Sequence, residues 1–160
     1  MKHTISVLVE NKPGVLARIA GLFSARGFNI DSLSVGRTED PTISEMTVVA
    51  EGNERILEQI TKQLYKLIDV IKVEDLTKAK VEFIERELIL VRMKVNPREE
   101  KKIQETTEEI GAQILKKSKD VLIVEVVGEQ NEIETSLVLL KQFDIQRIFR
   151  TGKIAMKASA

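Results

Sequence analysis

The chain has 160 residues, of which 42% are hydrophobic, and this is enough for the core of one ordinary domain or of two small ones. Its 25 Lys and Arg residues balance its 25 Asp and Glu residues, which disfavours nucleic acid and anionic lipid as partners. It has no cysteine, which excludes disulfides and thiolate metal sites, and no apolar run approaches the roughly 20 residues of a membrane span, so we expect a cytoplasmic protein.

The first half of the chain alternates between strand and helix patterns. Ile5, Val7 and Val9 share one face of a strand. Apolar residues at helical spacing begin at Val15, and Gly27 stands where that helix should end. The predicted elements are a strand over 4–10, a helix that ends before Gly27, strands over 29–36 and 43–50, a helix over 53–67 and a strand over 70–73. Their order is βαββαβ.

The second half repeats this order after a short polar segment. The segment DLTKAKVE, 75–82, precedes a fresh strand, so we expect domains over 1–76 and 77–160. The predicted elements are a strand over 87–95, a helix over 98–110, strands over 113–117 and 121–127, a helix over 130–142 and a strand over 145–150. When the two halves of the sequence are aligned with each other, Gly52 and Gly128 occupy equivalent turns, which supports an internal repeat.

Both halves predict the same α+β fold. This fold is a ferredoxin-like sandwich, in which two helices cover one face of a four-stranded antiparallel sheet. Such a sheet leaves its other face and an edge strand uncovered. We therefore expect two sandwiches in tandem, and a homodimer at least.

A candidate binding site lies in the stretch VENKPGVLARIAGLFSARGFNIDSL, 9–33. Pro13 suits the first position of the helix. Gly14 has no side chain, so the N–H groups of Gly14, Val15 and Leu16 should stay open to a ligand. Because the positive end of the helix dipole favours an anion, the sequence predicts a site for the carboxylate of a free amino acid.

Two asparagines flank the same helix and could hold the other end of that ligand. Asn11 and Asn29 carry amide oxygens that accept a hydrogen bond from an ammonium group without adding a competing positive charge. Val15, Leu16 or Ile30 would form an apolar wall for a small aliphatic side chain. In the alternative, purely structural interpretation, Asn11 caps the helix and Asn29 only begins a strand.

The stretch ENKPGVLARIAGLFSARGFNIDSLSVG resembles the start of an ACT domain. The whole chain is similar to the regulatory (small) subunits of acetohydroxyacid synthase, also called acetolactate synthase. The similarity continues through EDPTIS, LEQITKQLYKLIDVIKVEDLT, ERELILVRMKV and RTGKIAM. The motifs are long and span nearly every residue, so the resemblance is specific.

The resemblance implies a non-catalytic partner of the catalytic (large) subunit in branched-chain amino acid biosynthesis. The catalytic subunit would carry thiamine diphosphate, Mg and FAD, and this chain would carry no cofactor and no metal. Valine would act as feedback inhibitor, bound where two ACT domains pair side by side in a homodimer, although leucine and isoleucine stay open as effectors. One chain would supply Asn11, Gly14, Val15 and Leu16, and its mate would supply Asn29 and Ile30.

Other interpretations stay open for parts of the chain. The loop 37–44 is longer than a minimal hairpin turn, so it is either a contact with the catalytic subunit or a solvated connection. The same sandwich could be a stand-alone small-molecule enzyme such as an acyl-phosphate hydrolase, but NKPG, 11–14, lacks the arginine that its anion loop would need. His3 has no partner at catalytic spacing and is expected at a frayed terminus, so no catalytic residue is predicted.

Overall fold

The computed structural model describes residues 1–79 and 81–159, so residue 80 of the predicted boundary segment lies outside the described residues. The chain divides into unit 1, which is Met1–Ile84 with Lys153–Ala160, and unit 2, which is Glu85–Gly152. The elements in chain order are β1 (Lys2–Glu10), α1 (Val15–Ala25), β2 (Ile30–Arg37), β3 (Ile43–Glu51), α2 (Glu54–Leu64), β4 (Val70–Asp75), β5 (Phe83–Lys94), α3 (Glu100–Glu109), β6 (Gln113–Lys117), β7 (Val121–Gly128), α4 (Gln130–Leu140), β8 (Asp144–Arg150) and β9 (Ile154–Lys157).

Unit 1 is an antiparallel sheet with two helices on one face. Its strand order is β2-β3-β1-β4. Ile5, Val7 and Val9 are buried together with residues of α1 and α2, as their alternation in the sequence predicts. The α+β class and the βαββαβ order are therefore confirmed for this half.

A glycine ends α1, as the sequence predicts. Gly27 adopts a φ of 71°. Its N–H donates to the carbonyl oxygen of Ser24 at 3.0 Å, and the N–H of Phe28 donates to that of Phe23 at 3.1 Å. These two bonds occupy carbonyls that the last helical turn would otherwise leave unpaired, and the chain turns directly into β2.

Unit 2 repeats the arrangement with the strand order β6-β7-β5-β8. Ile89, Val91 and Met93 of β5 are fully buried among residues of α3 and α4. On the same side of β5, the buried carboxylate of Glu87 accepts hydrogen bonds from Nε and Nη2 of Arg150, each at 2.8 Å. Bidentate pairing satisfies a carboxylate that could not stay buried alone.

The end of the chain returns to unit 1, which the predicted division into 1–76 and 77–160 does not include. The N–H of Lys153 donates to Oγ of Ser32 at 2.9 Å, and the N–H of Ala155 donates to Oγ1 of Thr47 at 3.2 Å. Ser32 and Thr47 lie on the sheet face opposite α1 and α2. We expected that face to be uncovered, but β9 covers part of it. The hydroxyl groups of Ser32 and Thr47 on this face accept hydrogen bonds from the returning backbone.

His3 is also not where the sequence places it. Instead of fraying, it is fully buried, and Nδ1 lies 2.8 Å from Oδ2 of Asp75. The other oxygen of Asp75 accepts from the N–H groups of Thr77 and Lys78 at 3.1 and 3.0 Å. The first residues of the chain therefore help to fix the turn that follows β4.

Candidate functional site at the start of α1

The first helix begins without a side-chain cap. Gly14 is the N-cap residue, with a φ of 83°, and α1 begins at Val15. A left-handed φ of this kind favours glycine over every residue that has a Cβ. Pro13 precedes the helix, so the prediction that it occupies the first helical position is wrong. The alternative that Asn11 caps the helix is wrong as well, because no side chain bonds at this cap.

Several backbone donors at this end are open. The N–H of Val15 lies 3.4 Å from the carbonyl oxygen of Lys12, which is a long turn hydrogen bond. Within the part of the chain that the structure describes, the N–H groups of Gly14, Leu16 and Ala17 have no acceptor. The N–H of Ala17 is not among the open donors that the sequence predicts. The N–H of Val15 is predicted to be open, but it already makes a long hydrogen bond. Free N–H groups at the positive end of a helix dipole suit an anion.

An arginine lies over this helix start, and sequence reasoning missed it. Nη2 of Arg18 is 2.5 Å from Oδ2 of Asp69, whose side chain is 9% exposed. Nη1 lies 3.0 Å from the position that a Cβ on Gly14 would occupy. The spacing of four residues from Gly14 to Arg18, one helical turn, is the signal that could have identified the arginine.

Lys12 and Glu10 form a second ion pair beside the same helix start. Nζ of Lys12 lies 2.7 Å from Oε2 of Glu10. That hydrogen bond, together with the charge of Glu10, raises the pKa of Lys12. Together with Arg18 and Asp69, this pair gives the site two cations and two carboxylates, so its charges balance. A ligand that carries one charge of each sign would leave that balance unchanged.

The side chain of Asn11 is hydrogen-bonded to the neighbouring hairpin loop. Its Nδ2 donates to the carbonyl oxygen of Pro41 at 3.0 Å, and its backbone N–H donates to that of Thr42 at 2.7 Å. The carboxylate of Asp40 accepts from the N–H and the hydroxyl of Thr42 at 2.9 and 2.6 Å, and these bonds lower the pKa of Asp40. The loop 38–42 is thus fixed next to the start of α1.

Asn29 and Ile30 lie at the other end of the unit. β2 begins where α1 ends, and an α-helix of this length spans about 16 Å. Nδ2 of Asn29 donates to Oδ1 of Asp31, and the hydrogen bond from Lys2 lowers the pKa of Asp31. Within one chain, the structure therefore brings Asn11 close to Gly14 but does not bring Asn29 and Ile30 to them.

The predicted apolar wall divides into one core residue and two accessible ones. Val15 is 3% exposed and packs in the core of unit 1, so its side chain is not available to a ligand. Leu16 is 41% exposed, and Ile30 is half-buried at the edge of the core. The side chains that can still contact a ligand are those of Leu16 and Ile30.

The described residues provide neither a metal centre nor a membrane-spanning helix. Across residues 1–79 and 81–159, no group of three or more His, Cys, Asp or Glu side chains is placed to hold a metal ion. Over the same ranges, no helix is long and apolar enough to cross a membrane.

Two family models match the chain. The AHAS small subunit-like ACT domain matches residues 5–72, and the small subunit of acetolactate synthase matches residues 86–159. The first match contains every residue of the candidate site.

Relatives and a solved structure are similar over nearly the full length. A probable acetolactate synthase small subunit of Archaeoglobus fulgidus is 50% identical over 156 residues, which are 98% of this chain and 96% of the relative. The acetolactate synthase small subunit of Aquifex aeolicus is 42% identical, over 98% of this chain and 81% of its own length. A crystal structure of the small subunit from Thermotoga maritima is 35% identical, with a TM-score of 0.89, over 100% of this chain and 99% of that one.

Proposed function

The chain belongs to the family of acetolactate synthase small subunits, and on this basis we propose that it binds the catalytic subunit, raises its activity and makes it sensitive to feedback inhibition by valine. It is a regulatory subunit of acetolactate synthase. In this proposal the chemistry belongs to the catalytic subunit, with thiamine diphosphate, Mg and FAD, and this chain supplies the effector site.

The observation that supports the effector site most strongly is the set of open donors at the start of α1. The N–H groups of Gly14, Leu16 and Ala17 lie at the positive end of the helix, with the guanidinium of Arg18 above Gly14. A carboxylate can accept from several such groups at once, and hydrogen bonds to a charged group are about twice as strong as neutral ones. Asp69 keeps the arginine in place.

The two edges of the unit 1 sheet differ, and this difference supports pairing through β2. At the β4 edge, the hydroxyl of Tyr65 donates to the carbonyl oxygen of Val73 at 2.8 Å and accepts from its N–H at 3.0 Å. Those groups are therefore not free for another strand. β2 forms the opposite edge, and within the described residues only β3 pairs with it.

Pairing two β2 strands about a twofold axis would complete the site. β2 ends at Arg37, at the same end of the sheet's strands as the start of α1. In an antiparallel pair, Asn29 of the partner subunit and Ile30 of the partner subunit would lie beside that end. We therefore propose that the residues that are far apart in one chain meet across the homodimer seam.

The remaining polar groups suit the ammonium end of an amino acid. Asn11 and Asn29 both use their amide nitrogen to donate, to Pro41 and Asp31 respectively, and this leaves their amide oxygens as acceptors. The exposed side chain of Leu16 and the half-buried side chain of Ile30 would contact a branched aliphatic group. The proposed ligand is thus a zwitterion with a small apolar side chain, and valine fits this description.

An activity assay with the catalytic subunit of the same organism tests this function. We expect acetolactate formation to rise when this chain is added and to fall again with valine. Asn29→Ala should weaken inhibition by valine and leave activation intact, whereas Asn131→Ala, at an exposed position of α4, should change neither. A catalytic subunit whose rate is the same with and without this chain would refute the proposal.

A further inference from the structure

The sheet of unit 2 has an apolar face that its own helices do not cover. α3 and α4 pack on the face of Ile89, Val91 and Met93. The face on the other side, here called the outer face, carries apolar side chains from three strands, of which Phe149 is 60% and Val127 is 54% exposed. Its apolar residues are Leu88, Leu90, Val121, Ile123, Val127 and Phe149. An exposed cluster of this kind on a sheet marks an interaction surface.

A row of cations crosses the same face. Lys116 of β6 pairs with Ile123 of β7, Ile123 pairs with Arg92 of β5, and Arg92 pairs with Arg147 of β8. Arg92 and Arg147 are therefore direct cross-strand neighbours of like charge, an arrangement that destabilises a sheet. Within residues 1–79 and 81–159, neither of them nor Lys116 has an ion-pair partner. The fold alone gives no reason to keep this row.

Another arginine of the same sheet shows what a purely structural role looks like. Arg150, one strand position beyond Phe149, pairs with Glu87 and Glu134 at 2.8 and 2.9 Å. Those carboxylates raise its pKa further. Among the described residues, Lys116, Arg92 and Arg147 form no such ion pair, so their charge is available to a partner.

We propose that the outer face of unit 2 is a docking surface for the catalytic subunit, and that the region it contacts is apolar at its centre and acidic opposite Arg92 and Arg147. This inference rests on the proposed function. A second copy of the chain is the less suitable occupant, because a twofold contact uses the same face twice and would bring both cation rows together, with Glu125 and Asp144 as the acids at the paired positions of that face. An acidic partner neutralises the row and at the same time covers Phe149.

The test is the affinity of the full-length chain for the catalytic subunit, measured at several salt concentrations. Arg147→Glu should weaken binding by roughly tenfold and reduce its dependence on salt. Lys102→Glu, on the exposed side of α3, is the matched control and should bind as the wild type does. Phe149→Ser should weaken binding without changing the salt dependence.

A stability measurement separates docking from folding. Because Arg147→Glu replaces a like-charged neighbour of Arg92 by an opposite charge, the midpoint of thermal unfolding should rise while the affinity falls. A variant that loses both stability and affinity would indicate a structural role and would overturn the inference.

Three further results would also overturn it. One is equal affinity of Arg147→Glu and the wild type for the catalytic subunit. Another is that Arg147→Glu changes the oligomeric state of this chain on its own and leaves its affinity for the catalytic subunit unchanged, since the outer face would then hold a second copy. The third is a loss of affinity for Asp40→Lys in the loop 38–42 but not for Arg147→Glu. If the wild type itself does not bind the catalytic subunit, the proposed function fails, and this inference fails with it.

Discussion

Replacing Gly14 by aspartate tests the effector site at the open end of α1. The Cβ of any new side chain would lie 3.0 Å from Nη1 of Arg18. The carboxylate of Gly14→Asp would therefore lie against the guanidinium and the N terminus of the helix, and both favour its ionised form. A ligand carboxylate would then meet a site that is already occupied by negative charge.

The size of the effect follows from the contacts that are lost. The N–H groups of Gly14 and Leu16 are open, and a hydrogen bond to a charged group contributes about 1.5 kcal/mol at the lower end. Losing two of them costs about 3 kcal/mol, or roughly a 100-fold weaker affinity for valine. The φ of 83° at this position adds a strain of roughly 1–2 kcal/mol for any residue with a Cβ, and this strain lowers the free energy of unfolding.

Gly14→Ala is the matched control, since it introduces the same backbone strain without the carboxylate. Both variants should lower the unfolding midpoint in chemical denaturation by a similar amount. Calorimetry should then show that Gly14→Ala still binds valine and that Gly14→Asp does not. Equal valine affinities for Gly14→Asp and the wild type would refute the assignment of the carboxylate to this helix start.

Three predictions concern other parts of the molecule. Thr42→Val should raise the pKa of Asp40 back toward its ordinary value of 3.8, as measured by NMR titration. In the wild type, the stabilisation that the hydrogen bonds from Thr42 give the loop should be present above pH 3.8. It should be lost as the pH falls through the lower pKa of folded Asp40. Glu87→Gln should lower the free energy of unfolding by about 1–3 kcal/mol, because Arg150 loses its bidentate partner, and an unchanged denaturation curve would contradict this. Gly21→Ala should raise the free energy of unfolding by about 0.5–1 kcal/mol, since an added Cβ inside α1 meets no atom within 4 Å, and a lower thermal midpoint would count against the helix as described.

Local patterns account for the part of the fold that the sequence predicts correctly. The alternation of Ile5, Val7 and Val9 identifies the buried face of β1, and Gly27 marks the end of α1. Both features depend on residues that are close together in the chain. The repeat of this pattern in the second half is enough to predict two βαββαβ units.

Contacts between distant residues explain what the sequence does not predict. Asp69 is 51 residues from Arg18, so no local pattern indicates that it holds the guanidinium above Gly14. The bond from Ala155 to Thr47 spans 108 residues, and for this reason the return of β9 to unit 1 is missed. At the start of α1, the general preference of proline for the first helical position does not hold, because Gly14 with its positive φ is the N-cap and the helix begins at Val15, two residues after Pro13.

Calorimetric titration of valine into the wild-type 160-residue chain measures directly whether the start of α1 holds an effector. We expect saturable heat from valine. Because the site requires both a carboxylate and an ammonium group, valinamide and isovalerate should give no heat. No heat from valine, leucine or isoleucine at concentrations on the order of 10 mM would contradict an effector site at the start of α1.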